Sequence, residues 1–251
     1  MTHAYIVCTT PRSGSTLLCR MLRATGVAGA PASLFFGTSL AAWRDRMALA
    51  PSDAPATEQL RKVLAAAQIL GRGGTEVFAQ RQQWHSFAFL RAQLALLFPT
   101  AQTDLARLTA AFGPVRFVHL TRKDKLRQAV SYLLAQQTGL WHRYADGTEL
   151  ESTAALQSPS YSRAAITETL TLLSQWDRNW QQWFDQQGVA PLPLTHEALA
   201  EAPQARVHDL LTQLNLPAQA ATGIAPDVAR IADPRSQQWM DRFCREGGGV
   251  P

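Results

Sequence analysis

Tyr5-Ile6-Val7-Cys8-Thr9-Thr10-Pro11-Arg12-Ser13-Gly14-Ser15-Thr16-Leu17-Leu18-Cys19-Arg20-Met21-Leu22 is the stretch that decides the fold. Its first six residues form a short apolar, β-branched run of the buried-strand kind. Leu17, Leu18, Met21 and Leu22 recur at i, i+1, i+4 and i+5, which predicts a helix with one apolar stripe. Between strand and helix lie one arginine, one glycine and three hydroxyls, where the unpaired N–H groups and positive dipole end of the helix would face a ligand. That is the design of an anion site, although Ser and Thr also serve as ordinary helix caps at such a turn. The nucleotide-triphosphate pattern G-x-x-x-x-G-K-[ST] would need Gly and Lys where this chain has Thr9 and Ser15.

Working outward, 251 residues suit one α/β domain with a sizeable core, spanning 1–251. The formal charge is +5, and no Asp or Glu occurs before Asp45, whereas Arg12, Arg20, Arg23 and Arg44 all do. The positive field is therefore concentrated near the first loop, which favours an anionic ligand. No basic run with interleaved aromatics appears, which argues against nucleic acid as the partner. Cys8, Cys19 and Cys244 are odd in number and lack metal-ligand spacing, so no metal site is expected and the thiols read as reduced. With no secretory core at the start and no run of membrane-spanning length, the expectation is a cytoplasmic protein without a membrane span.

Helices are expected over 40–50, 58–70, 87–98, 104–112, 125–137 and 204–214, with a long core helix over 161–187. Strands are expected over 75–79 and 115–120, with an edge strand over 189–194 because of its prolines. Strands alternating with helices imply a parallel sheet with helices on both faces and ligands beyond the strand carboxyl ends. The strand over 115–120 runs into Thr121-Arg122-Lys123-Asp124 and then a helix with Asp124 as N-cap, a second anion site of the same design. Cations at a helix start oppose its dipole, so something negative should offset them there. Trp141 and Tyr144 flank His142 and Arg143 before an Asp146-Gly147 turn. They read either as a hairpin presenting a sugar-stacking surface or as core.

Pro11-Arg12-Ser13-Gly14-Ser15-Thr16-Leu17-Leu18 after a strand resembles the 5′-phosphosulfate loop of sulfotransferases that use 3′-phosphoadenosine 5′-phosphosulfate (PAPS), most closely the bacterial trehalose 2-sulfotransferase-like family. The stretch from Thr121 to Ser131 is similar to that family's 3′-phosphate site. The resemblance implies a P-loop-like three-layer α/β fold and sulfuryl transfer from PAPS to a hydroxyl of a carbohydrate or other small acceptor. It also implies 3′-phosphoadenosine 5′-phosphate (PAP) as product, and a homodimer. Carried over residue by residue, the nucleotide would be held by Arg12, Ser13, Gly14, Ser15, Thr16, Arg122, Lys123 and Ser131, with Arg230 reaching back from a C-terminal element. Arg12 would also be catalytic, stabilising the leaving phosphate oxygen.

The chain departs from the family at its proposed base. Gly29-Ala30-Pro31-Ala32-Ser33-Leu34-Phe35-Phe36 puts Ser33 where the family has Glu, and Ser cannot deprotonate an alcohol near neutral pH. His142, carried as a catalytic residue, His85 and Glu76 are the candidate replacement bases, and the sequence does not rank them. A non-catalytic or divergent nucleotide-binding member is the alternative this departure raises. A kinase-like phosphotransferase is disfavoured by the missing Lys.

Overall fold

The computed structural model describes residues 4–143, 148–152, 158–227 and 234–247. In chain order it runs β1 (Ala4–Thr9), α1 (Ser15–Ala24), α2 (Leu40–Arg46), α3 (Ala56–Arg72), β2 (Phe78–Gln83), α4 (Trp84–Leu97), α5 (Asp104–Phe112), β3 (Val115–Thr121) and α6 (Lys125–Thr138). It continues with β4 (Leu140–Arg143), β5 (Glu149–Ser152), α7 (Arg163–Gln187), β6 (Leu192–Thr195), α8 (His196–Glu201), α9 (Pro203–Gln213) and α10 (Pro234–Arg245). Four parallel strands form one sheet in the order β2-β1-β3-β6, and β4 pairs antiparallel with β5 as a separate hairpin. Thr9 lies opposite both Gln83 and Leu120, and Thr121 opposite Thr195, so the strand carboxyl ends align along one edge. The chain therefore leaves every strand of this sheet on the same side of the molecule, through a loop after β1 and β3 and straight into a helix after β2 and β6.

Every residue of β1 is buried, and its side chains alternate between two cores. Ala4, Ile6 and Cys8 join Phe78, Phe87, Phe117 and the α7 residues Trp180, Trp183 and Phe184 on one face. Tyr5 and Val7 join Leu18, Leu22, Val118 and the α9 residues Leu210 and Leu211 on the other. A third cluster binds α6 to α7 and α10 through Val130, Leu170 and Phe243. Helices thus cover both faces of a parallel sheet.

The second strand lies later than the 75–79 expectation. Thr75 closes a turn, its hydroxyl accepting from the Val77 amide at 3.1 Å, and the strand proper is Phe78–Gln83. Its last four residues are Gln80-Arg81-Gln82-Gln83, which apolar patterning cannot mark as a strand although Gln80 and Gln82 are fully enclosed. The edge strand begins at Leu192 rather than 189 because only Leu192–Thr195 pairs with β3. Among the described residues no helix is long and apolar enough to cross a membrane.

Candidate active site

The first loop sits on a buried polar foundation. Thr9 Oγ1 donates to the Leu120 carbonyl at 2.8 Å, and the indole N–H of Trp180 donates to the Thr9 carbonyl at 3.0 Å. The aromatic core helix therefore fixes the point where strand becomes loop. Gln128, wholly enclosed, donates to Thr10 Oγ1 at 3.0 Å and to the Pro11 carbonyl at 2.7 Å. Lys125 donates to Gln128 Oε1 at 3.0 Å and pairs with Asp177, which accepts in turn from Thr10 Oγ1 at 3.1 Å. Such a network holds only if each buried group finds its partner. Ser13 belongs to this underside: its fully buried hydroxyl shares a hydrogen bond with Thr9 Oγ1, leaving its backbone amide as the group it can offer a ligand.

Above that foundation the backbone turns left-handed twice, at Arg12 (φ 62°) and Gly14 (φ 85°). A non-glycine residue there costs about 1–2 kcal/mol, met here by the guanidinium of Arg122, which donates to the Arg12 carbonyl at 3.0 Å. A Cβ on Gly14 would come within 2.6 Å of His196 Nδ1 at the start of α8, so glycine is required on two counts. Gly14 caps α1 without any side-chain hydrogen bond. The first amides of the helix thus have no side-chain cap and suit an oxyanion.

Arg12, Arg122 and Ser131 come together. Arg12 Nε donates to Ser131 Oγ at 3.0 Å across a sequence separation of 119, and its terminal nitrogen donates to the Trp141 carbonyl. Arg122 is 8% exposed, against the loop main chain. Lys123 is exposed and lies toward α8, where its amide and that of Asp124 donate to the Glu197 carboxylate at 3.1 and 3.2 Å. Partial burial alone would raise the pKa of Glu197, but the amides of Asp124, Glu197 and Lys123 hold it below the usual carboxylate value. Because a carboxylate already occupies the start of α6, a phosphate at this strand end would be gripped by side chains. Arg230 lies outside the described residues. His142 lies on β4 opposite Glu151, one residue beyond Trp141.

On the other side of the loop the structure brings up a residue that sequence reasoning missed. Arg81, opposite Val7 on β2, donates to Thr16 Oγ1 at 2.8 Å, to Ser15 Oγ at 3.3 Å and to Ser33 Oγ at 2.8 Å. The available signal was a strand passing into a helix, here with no loop between Gln83 and Trp84. A cavity of about 290 Å³ opens here, lined by Arg12, Ser33, Arg81, His85, Tyr132 and Trp141 among others. His85 stands against the rings of Phe36 and Trp176, each 5.3 Å away, and burial lowers its pKa from the ordinary value near 6.5. Its Nδ1 is buried without a partner, which leaves Nε2 as the nitrogen able to meet a ligand. Glu76 is exposed, ahead of the first residue of β2 and so about 20 Å of strand from the site.

The family model for Stf0 sulphotransferase matches residues 4–246, and the chain belongs to that family. Its class is therefore sulfotransferase. It is 31% identical to the trehalose 2-sulfotransferase of Mycobacterium tuberculosis, over 96% of this chain and 94% of that protein. To the trehalose 2-sulfotransferase of Mycolicibacterium smegmatis it is 29% identical, over 99% of this chain and 97% of that one. Among solved structures, a sulfotransferase domain from the Curacin biosynthetic pathway shares the fold, with a TM-score of 0.51 and 13% identity over 100% of this chain and 99% of that one.

Proposed function

We propose that the protein, as one domain over 1–251, is a cytoplasmic sulfotransferase that moves a sulfuryl group from PAPS to a hydroxyl of a carbohydrate. The observation that carries this reading is the convergence of two strand-end cations on one loop, Arg12 on Ser131 and Arg122 on the Arg12 carbonyl, beside a helix start with no side-chain cap. The residues fit the nucleotide: amides 13–16 and Arg12 suit its 5′-phosphosulfate, and Arg122, Ser131 and Lys123 suit its 3′-phosphate, with Arg230 assigned to the same nucleotide by family likeness. PAPS supplies the sulfuryl group, its S–O bond to the 5′-phosphate breaking as the acceptor oxygen bonds sulfur. Negative charge then grows on the phosphate oxygen, where Arg12 and the loop amides act as donors fixed in advance, worth roughly 3 kcal/mol each in comparable sites.

The acceptor proton needs a base, and Ser33, which accepts from Arg81, is not one. His85 lines the cavity with a neutral ring at pH 7 and takes that proton on Nε2. His142 is the second imidazole assigned to this role, and substituting each singly separates them.

Calorimetry with PAP tests the nucleotide half. Tight binding by the wild type, weakened tenfold to a hundredfold in both Arg12→Ala and Arg122→Ala, is expected for charge-assisted contacts of about 1.5–3 kcal/mol. No PAP binding by folded wild type overturns the reading. A divergent nucleotide-binding protein is the second reading, favoured by the missing carboxylate at Ser33. It predicts PAP binding without transfer of labelled sulfate to any sugar, and activity appearing in Ser33→Glu.

A further inference from the structure

Beside the small cavity, and sharing Ser33, Arg46 and Arg81 with it, lies a larger cleft of about 760 Å³. Its size is within the range that encloses a small-molecule ligand, about 300–1,000 Å³. The cleft lies on the β2 side of the loop and shares Thr16 with the proposed 5′-phosphosulfate cradle, whereas Arg122 and Ser131, proposed for the 3′-phosphate, lie on the β3 side.

Its charged lining consists of Arg20 and Arg23 from α1, Arg46 from the end of α2, Arg81 from β2, and Asp227. Asp227 is committed to Arg20 in a two-pronged ion pair, whose hydrogen bond holds the carboxyl below its usual range. Those two charges offset each other. Arg23, Arg46 and Arg81 have no carboxylate partner among the described residues: Arg81 meets only hydroxyls, and Arg46 lies over the Phe36 ring at 5.3 Å. Three like charges around one concavity repel one another, and the concave wall focuses their field.

Guanidinium offers five N–H donors and no acceptor. A neutral sugar, whose hydroxyls donate as well as accept, finds little in this lining to receive its protons. A planar or tetrahedral oxyanion matches it, because each fork binds two oxygens in parallel. We infer that the acceptor is an anionic carbohydrate, a sugar carrying a phosphate or carboxylate that seats on Arg23, Arg46 and Arg81 while its hydroxyl enters the smaller cavity. This deepens the carbohydrate-sulfotransferase reading and rests on it.

The test is calorimetry at low ionic strength with trehalose, trehalose 6-phosphate and a uronic-acid disaccharide, each titrated with and without saturating PAP. At least one anionic sugar should bind tenfold or more tightly than trehalose. That preference should shrink toward unity in the Arg23→Gln/Arg46→Gln double variant, whose substitutions are at exposed positions the fold tolerates. The phosphate and carboxylate arms show which oxyanion is favoured. Equal or tighter binding of trehalose overturns the inference, and so does loss of the anionic sugar when PAP saturates the protein, since the cleft would then belong to the nucleotide. Absence of PAP binding defeats the nucleotide reading instead, while the titrations without PAP still decide the sugar preference.

Discussion

The two sides of the first loop are built differently. On the β3 side the cations are tied down: Arg12 to Ser131, Arg122 to a main-chain carbonyl, and Lys125 to Asp177 within a buried network that Gln128 completes. On the β2 side Arg23, Arg46 and Arg81 face open volume with no carboxylate partner among the described residues, Asp227 being paired with Arg20. The first arrangement is preorganised for a ligand of fixed shape, since its geometry is settled before binding. The second leaves its charge for the ligand to neutralise, which suits a part of the site that sets specificity.

Removing the imidazole proposed as base should have the largest effect and tests the β2 side alone. His85→Ala is expected to lower kcat by about 10²–10⁴ while PAP binding in calorimetry stays within about twofold. A loss of PAP binding would show that the two sides are not separable. Next in size is Gln128→Leu, which touches no proposed ligand but removes the donor to the Pro11 carbonyl and to Thr10 Oγ1 and one of the two acceptors of Lys125. A stability loss of about 1–3 kcal/mol in urea unfolding, with weaker PAP binding, is expected if the β3 side works through rigidity. Trp180→Phe removes the indole donor from the Thr9 carbonyl and should cost about 1 kcal/mol by the same assay, with a smaller change in PAP affinity.

The smallest effect is in pH. Burial lowers the pKa of His85 in the fold, so the unfolded chain binds its proton more readily. Its contribution to stability is full above the unfolded value of about 6.5 and declines as pH falls from there through the lowered folded value. Thermal melts from pH 7.5 downward should therefore show wild type losing more Tm than His85→Gln below about pH 6.5. The rate should hold over the same interval and fall only when the lowered pKa is passed.

Much of this was legible in the sequence. The helix over Asp104–Phe112 and the Asp124 cap of α6 follow from local spacing and capping alone, the Asp124 side chain accepting from the Arg127 amide at 2.9 Å. The two loops with their arginines were visible for the same reason, each a polar interval between an apolar strand and an amphipathic helix. Arg81 was not, because a strand that ends in Gln80-Arg81-Gln82-Gln83 shows no apolar alternation and owes its place to pairing with β1. Nor could the sequence rank His85 above Glu76, since only the direction of β2 puts one at the site and the other at the far end.

The chain by itself determined where strands yield to helices and which cations stand at those junctions, because propensity, periodicity and caps act over a few residues. Tertiary structure alone decided that Arg12 meets Ser131, that Arg81 meets Ser33, and that the charge left over faces one cleft. Those contacts join residues far apart in the chain, and their neighbours are set by strand order and register, which no local pattern encodes.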